Sequence, residues 1–147
     1  MRFCRVTIPW SAQTHVKVAG NYPLPYWGLQ LSGTFQNLPG APYGANRVYT
    51  SAQVAPSLGR PLSAATVTVP LAPPYTFFDP RLNQFDVRLT KAVSIQGLRV
   101  QLQGDVYNLT NSSAVLASNG TYGAAWRRPT VLLGARLVKF GVQIDWR

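Results

Sequence analysis

The sequence predicts an all-β fold, built as an antiparallel up-and-down meander of about five strands. Helical periodicity is nearly absent, and 12 Gly and 12 Pro residues interrupt the chain too often for long helices. Apolar and polar residues instead alternate in five places, as in a strand with one apolar face. The predicted strands cover about residues 13–22, 27–37, 82–93, 98–109 and 134–146.

The C-terminal strand has the clearest alternation. Its apolar residues are Val138, Phe140, Val142, Ile144 and Trp146. The residues between them are Lys139, Gly141, Gln143 and Asp145. Successive side chains of a strand point to opposite faces, so this segment has one apolar side and one polar side. Each of the five runs is about ten residues long, close to the 9–11 that a tilted strand needs to cross a bilayer.

Two further patterns favour a membrane sheet over a soluble sheet with one buried face. The polar sides are rich in Gln, Asn, Ser and Thr, and charged residues make up only 12% of the chain. The connections alternate between short ones near residues 23–26 and 94–97 and long ones near 38–81 and 110–133. Short turns on one side and long loops on the other are typical of an outer-membrane β-barrel.

Large aromatic residues fall near both ends of the predicted strands. Four lie at the short-turn end: Tyr22, Tyr26, Trp27 and Trp146. Phe35 and Phe85 lie at the opposite end and face the same apolar side. Two aromatic belts around an apolar band are what a bilayer favours.

About five strands are too few to close a ring, and an unpaired strand edge in lipid leaves amide groups unsatisfied. The N-terminal residues have no continuous apolar stretch of the kind found in a signal peptide. We therefore expect the chain to be part of a larger barrel whose other strands lie upstream. The long loops, about residues 38–81 and 110–133, would then be extracellular.

The second long loop carries four candidate extracellular contacts: Tyr122, Trp126, Arg127 and Arg128. Its aromatic rings could stack on a ligand or pack the loop on itself, and self-packing is favoured. The first long loop holds eight of the twelve prolines. Residues 64–69 alternate enough to predict a short strand or hairpin arm within it.

Several segments together resemble the C-terminal barrel of Oar-like TonB-dependent receptors, the group that usually carries a carboxypeptidase-regulatory-like domain. The matching segments are residues 28–36, 81–91, 105–111, 119–129 and 136–146. The most specific are Asp105-Val106-Tyr107-Asn108-Leu109 and the final strand. In the final strand Lys139, Gly141, Ile144 and Trp146 resemble an outer-membrane assembly signal, although such barrels usually end on the aromatic residue and Arg147 follows here.

The resemblance implies a receptor and transporter in the bacterial outer membrane that takes up a bulky nutrient. It also implies the partners: outer-membrane lipid, the rest of the barrel with its plug, and, through the plug, the TonB complex. No plug, TonB-box segment or signal sequence is recognisable in this sequence. The nature of the nutrient, whether siderophore, oligosaccharide or peptide, stays open.

No catalytic or metal-binding motif is present, and we predict neither a cofactor nor an enzymatic activity. The four Asp residues are far apart in sequence, and Cys4 is the only cysteine. The candidate lumen-facing residues are instead four cations on the polar sides of strands: Lys17, Arg88, Arg99 and Lys139. Such a row of cations would favour anionic groups or plug carboxylates.

Two other classes of function compete with this interpretation. A soluble all-β module that binds carbohydrate or another ligand would need its apolar strand faces to pack on each other. A nucleic-acid binder would use the net charge of +10, but the basic residues are scattered and Arg127-Arg128 is the only adjacent pair. We therefore expect no nucleic-acid partner.

Overall fold

The computed structural model describes residues 3–146, and it confirms an all-β fold with antiparallel sheets. The strands, in chain order, are β1 (Val16–Pro23), β2 (Leu29–Leu38), β3 (Pro42–Tyr43), β4 (Asn46–Thr50), β5 (Thr66–Pro70), β6 (Phe77–Phe78), β7 (Leu82–Ile95), β8 (Leu98–Tyr107), β9 (Val115–Ser118), β10 (Pro129–Leu132) and β11 (Leu137–Trp146). One helix, α1 (Ser51–Leu58), follows β4, and a single 3-10 turn spans Trp10–Ala12.

The chain divides into two compact units. We call the first the sheet unit; it contains Thr14–Leu38, Arg81–Ala114 and the chain from Leu133 onward. We call the second the loop unit; it contains the chain up to Gln13 together with Pro39–Pro80 and Val115–Leu132. The loop unit thus takes up most of the two segments that the sequence predicts as long loops.

The sheet unit is one antiparallel sheet with the strand order β1-β2-β7-β8-β11. Neighbours in this sheet are therefore neighbours along the chain, apart from the strands of the loop unit. Five bounds differ from the predicted ones by two or three residues: β1 begins at Val16, β2 begins at Leu29, β7 continues to Ile95, β8 ends at Tyr107 and β11 begins at Leu137. The sheet does not close, because β1 and β11 each pair on one side only within the described residues.

Two tight turns join the hairpins of the sheet. In the first, Trp27 and Gly28 have φ of 59° and 62°, and the Leu29 amide donates to the Tyr26 carbonyl at 3.3 Å. Positive φ at both central residues is the requirement of a type I′ turn, whose twist matches that of the strands. Trp27 therefore lies in the turn, not in the strand where the sequence predicts it. Gln96 and Gly97, with φ of 48° and 85°, form the second turn in the same way.

The register divides the sheet into two faces. One row of paired residues on the first face is Gly33, Val87, Val106 and Val138. Alternation puts nearly all the large apolar residues of the five strands on this side, which we call the apolar face. Many of them are exposed: Val18 by 59%, Tyr22 by 62%, Phe140 by 82%, Val142 by 63% and Trp146 by 80%.

The loop unit holds three short antiparallel ladders, which pair β3 with β6, β4 with β5, and β9 with β10. The β5 ladder strand covers Thr66–Pro70, close to the arm predicted at 64–69. Helix α1 begins with a capping box, in which the Gln53 amide donates to Thr50 Oγ1 and the Thr50 amide to Gln53 Oε1. Across residues 3–146, no helix combines the length and the apolar character needed to span a membrane.

Backbone contacts fix the loop unit internally. Gly40 is buried, and a side chain there would collide with the backbone of Asp79, whose amide donates to Ala41 at 3.0 Å. The Asn46 amide donates to Gly120, and the Asn46 carbonyl accepts from Tyr122, both at 2.8 Å. These contacts bring the two halves of the loop unit, which are distant in sequence, into one folded body.

Burial of apolar side chains is slight. Among the described residues, Ala45 and Leu82 are the only buried hydrophobic ones, exposed by 6% and 8%. A soluble domain of this length normally buries most of its large apolar residues in a shared core. The stability of the sheet unit must therefore come from its backbone ladders, its polar face, and whatever covers the apolar face.

Candidate functional site on the polar face of the sheet

The polar face of the sheet unit is the side opposite the apolar face. Its central row runs across all five strands and consists of Asn21, Ser32, Arg88, Asp105 and Lys139. Asp105 stands between the two cations, since Arg88 is its register partner on β7 and Lys139 its partner on β11. Asp105 thus offsets part of the positive charge of its two neighbours, and the row keeps a net positive charge.

Arg88 and Asp105 form a two-point ion pair. Arg88 Nε donates to Asp105 Oδ1 at 2.6 Å, and Arg88 Nη2 donates to Oδ2 at 3.2 Å. Tyr107 Oη also lies within 3.4 Å of Oδ2. Asp105 is only 3% exposed, whereas 46% of the Arg88 side chain is exposed. The pair therefore offers solvent a fixed guanidinium, with its carboxylate enclosed by neighbouring side chains.

A second carboxylate, Asp86, lies on the same face. Both of its oxygens accept from Gln84 Nε2 at 3.0 Å, and Oδ1 accepts from the Asn108 backbone amide at 2.8 Å. The latter bond ties the end of β8 to β7, because Asn108 directly follows Tyr107. Asp86 thus stabilises the pairing of β7 and β8 as a hydrogen-bond acceptor, and it also places a negative charge on the polar face.

These groups enclose a polar cleft of about 250 Å³. Its polar lining residues are Ser32, Thr34, Asp86, Arg88, Asp105 and Tyr107. Asp86 and Asp105 are far apart in the sequence, and only the pairing of β7 with β8 brings both to this cleft. The cleft presents a cation, hydroxyl groups and fixed carboxylates, which suits binding of a polar or charged group.

Asn108 is the most enclosed polar residue besides Asp105, at 3% exposure. Its Nδ2 donates to the carbonyls of Ser112 at 2.9 Å and Gly134 at 2.8 Å, while its Oδ1 accepts from the Ser112 amide at 2.8 Å. Its φ of 51° is left-handed, a conformation that Asn tolerates better than most residues. Asn108 thereby holds the two ends of the connection between β8 and β11.

The other predicted lumen-facing cations lie on this same face. Lys17 pairs in register with Gln36, and Arg99 pairs with Asp145 on β11. Arg88, Asp105 and Lys139 therefore meet in one row, while Lys17 and Arg99 lie in separate rows. Which compartment this face borders stays a prediction.

The predicted assembly-signal residues all lie on β11, the last strand of the open sheet. Lys139 and Gly141 are on the polar face, where Gly141 pairs with Gln103. Ile144 and Trp146 are on the apolar face and are 51% and 80% exposed. The segment therefore presents an exposed amphipathic strand with one free ladder edge.

The predicted loop contacts lie in the loop unit, where the aromatic rings pack together. Tyr122 and Trp126 have centroids 5.6 Å apart, and Trp126 is edge-on to Tyr43 and Phe77 at 6.2 Å. Trp126 Nε1 donates to the Gly44 carbonyl at 3.0 Å. Trp126 thus packs against Tyr122 within its own loop and against three residues of the first long loop: Tyr43, Gly44 and Phe77.

The two arginines of that loop differ in their surroundings. The Arg127 guanidinium lies 5.3 Å from the centre of the Tyr43 ring, a cation–π contact, and its backbone φ is 64°. Arg128 takes part through its backbone, whose carbonyl accepts from the Asn119 amide at 2.9 Å. Both side chains are exposed.

Sequence reasoning missed four groups that organise the polar face: Asp86, Asp105, Tyr107 and Asn108. It also missed Arg81, which donates through Nε and Nη2 to Asn37 Oδ1 at 2.9 and 2.6 Å and through Nη2 to the Thr14 carbonyl at 2.7 Å. The one usable signal was the Asp105–Leu109 segment, whose residue types carry much of the resemblance. In the part of the chain that the structure describes, no three His, Cys, Asp or Glu side chains come together as a metal site.

Comparison with known protein families, with curated proteins and with solved structures found no match.

Proposed function

We propose that the chain forms part of the wall of an outer-membrane β-barrel, and that this barrel is a TonB-dependent receptor that takes up a bulky nutrient. The observation that carries the proposal is the contrast between the two faces of one sheet. The apolar face is broad and exposed, while the polar face has its carboxylates paired and bonded.

An exposed apolar face of this breadth needs a partner, because exposing apolar side chains to water costs roughly 25 cal/mol per Å². Hydrocarbon removes that cost for the whole face at once. Aromatic residues at the short-turn end, Tyr26 at 72% exposure and Trp27 at 82%, suit the level of the lipid headgroups. A soluble module would instead need its own layer of protein on this face.

The unpaired edges of β1 and β11 support the same proposal. In hydrocarbon each unsatisfied backbone group costs several kcal/mol, so membrane sheets close into rings. We propose that further strands, outside this sequence, pair with both edges and complete the barrel. The loop unit then lies outside the cell, and the polar face lines the lumen.

The type of receptor rests on the resemblance described above. In such a receptor a plug fills the lumen and transmits energy from TonB, so the fixed guanidinium of Arg88 and the ammonium of Lys139 would meet plug or nutrient groups of negative charge. The polar cleft beside Arg88 also contains the carboxylates of Asp86 and Asp105, so it suits hydroxyl, amide or cationic groups better than anions.

Cysteine labelling in membranes tests the proposal. In a Cys4→Ser background, single cysteines replace Arg88, Arg99 or Lys139 on the polar face and Val87, Val100 or Val138 on the apolar face. We expect a water-soluble maleimide to label the first set at least tenfold faster, because a hydrated lumen exposes those thiols and lipid shields the others. The rate is measured by mass shift over time.

Labelling of both sets in denaturant is the control for intrinsic reactivity. Equal rates for the two sets in intact membranes would contradict the proposal. So would recovery of the full chain as a folded monomer in detergent-free buffer with the apolar set protected, since that result would mean a soluble module.

A further inference from the structure

Lys91 interrupts the apolar face. It lies on β7 between Leu89 and Val93, and its register partners are Leu29 on β2 and Leu102 on β8. Every other charged residue of the five described strands lies on the polar face. Lys91 is exposed, and it takes no part in the ion pair found among the described residues, that of Arg88 with Asp105.

The position of Lys91 along the strand is near the short turns. Its partner Leu29 is the first residue of β2, directly after the Trp27-Gly28 turn. The amide of Ala92, the next residue on β7, donates to the Gly28 carbonyl at 3.4 Å. On the lipid face of a barrel a Lys costs about 2–4 kcal/mol at the bilayer midplane but about 0–1 near the interface, so this level tolerates the charge. From here the long side chain reaches the headgroups.

A shallow groove of about 280 Å³ adjoins Lys91 on the same face. Gln103 also lines the groove, and the remaining lining residues carry no polar side chain: Leu29, Leu89, Leu102, Gly104 and Phe140. Gly104 creates the depression, because a methyl group there would occupy it at 3.8 Å from the Phe140 ring. The surface of the groove is therefore largely apolar, with one cation, Lys91, at its edge.

We propose that this groove is a binding site for one anionic phospholipid of the leaflet on the short-turn side. An acyl chain lies along Gly104 and Phe140, and the lipid phosphate meets the Lys91 ammonium. Charge complementarity selects the headgroup, because a zwitterionic lipid carries its own cation beside the phosphate. The inference rests on the proposed membrane function and adds a defined lipid to it.

The test uses the chain together with the strands that complete its proposed barrel, in phosphatidylcholine vesicles that contain a small fraction of brominated phosphatidylglycerol or brominated phosphatidylcholine. Bromine quenches nearby tryptophan, and the Trp27 contribution is obtained by difference from Trp27→Phe. The variants are Lys91→Gln and, as a charge-matched control on the polar face, Lys17→Gln. We expect phosphatidylglycerol to be enriched near Trp27 and Lys91→Gln to reduce that enrichment about fivefold, the ratio equivalent to about 1 kcal/mol for a Lys at an anionic surface. Lys17→Gln is expected to retain it.

Equal quenching by both lipids in the unsubstituted chain would overturn the lipid site while leaving the membrane proposal intact. Equal loss of enrichment in both variants would also overturn it, because general attraction by net charge would then suffice. Quenching by neither lipid would instead refute the membrane function, and the site with it.

Discussion

At the scale of single residues, the sheet unit depends on a few enclosed polar groups in place of a hydrophobic core. Asp105 and Asn108 are each 3% exposed, and both make several hydrogen bonds. Asp105 faces two cations across the sheet, whereas the Asn108 side chain bonds to backbone groups. An enclosed polar group is costly when unpaired, so these two residues constrain the strands that surround them.

Asn108→Ala is expected to destabilise the sheet unit by about 2–4 kcal/mol. The substitution removes three hydrogen bonds at an enclosed position and forces Ala into a left-handed conformation. The measurement is the free energy of unfolding of the full chain in lipid or detergent, from denaturant titration.

Asn111→Ala is the matched control. Asn111 has a similar φ of 53° but is exposed, and its Oδ1 accepts a single bond, from the Arg136 amide at 3.0 Å. Its loss should cost about 1–2 kcal/mol, mostly from the backbone. If the two variants lose the same free energy of unfolding, the Asn108 side chain does not hold the two ends of the β8–β11 connection as described.

At the scale of elements, the hairpins depend on their turns, in which both glycine and non-glycine residues adopt the left-handed conformation. Gly28 and Gly97 accept positive φ without cost, while Trp27 and Gln96 accept it with some strain. A Trp held at φ 59° and 82% exposed is a poor choice for a turn in water. It suits a turn whose tip meets the interface of a bilayer.

A series of Gly→Ala substitutions separates backbone strain from crowding. Gly20→Ala in β1 should be nearly neutral, because a methyl group there has nothing within 4 Å and no positive φ is required. Gly97→Ala should cost about 1–2 kcal/mol from the left-handed conformation alone. Gly28→Ala should cost more, because its methyl group would also lie 3.3 Å from the Ala92 carbonyl oxygen.

Unfolding free energies, measured for all three variants under one lipid condition, check this order. If Gly28→Ala leaves the free energy of unfolding unchanged, the prediction is wrong, because the first hairpin then does not adopt the turn described. Gly20 serves as the control because it lies in β1, a regular strand of the same hairpin whose turn contains Gly28.

At the scale of the whole molecule, two units with different chemistry share one chain. The sheet unit consists of long ladders with an exposed apolar face, and the loop unit consists of short ladders with an aromatic cluster. Both long connections leave the sheet and contribute to the loop unit, so its folding depends on contacts between segments that are distant in sequence.

Gly40→Ala tests whether the loop unit can lose its structure separately. A methyl group at Gly40 would collide with the Asp79 backbone. The adjoining ladder of β3 and β6 must therefore open. We expect a protease to cut within 39–80 at least tenfold faster, with residues 82–107 still protected. Gly44→Ala is the control, because its methyl group would make only ordinary contacts with Asn46 at 3.4 Å or more. Cleavage throughout the chain would contradict the independence of the two units.

The sequence alone determined the strands of the sheet and the separation of their faces. Alternation with period two is a local property, so Val138 to Trp146 and the neighbouring runs could be assigned without knowledge of their partners. The same alternation assigned four cations to the polar face: Lys17, Arg88, Arg99 and Lys139. The type I′ position of Trp27 did not, because Trp rarely occupies a left-handed site and its residue type suggested a strand.

Only the tertiary structure decided which residues meet. Asp105 finds Arg88 and Lys139 because register pairs β8 with both β7 and β11, and register depends on all the contacts along three strands at once. The same holds for the loop unit, where Trp126 reaches the Gly44 carbonyl across 82 positions. Local pattern fixes the direction in which a side chain points, whereas its partner is set by the cooperative pairing of segments far apart in the chain.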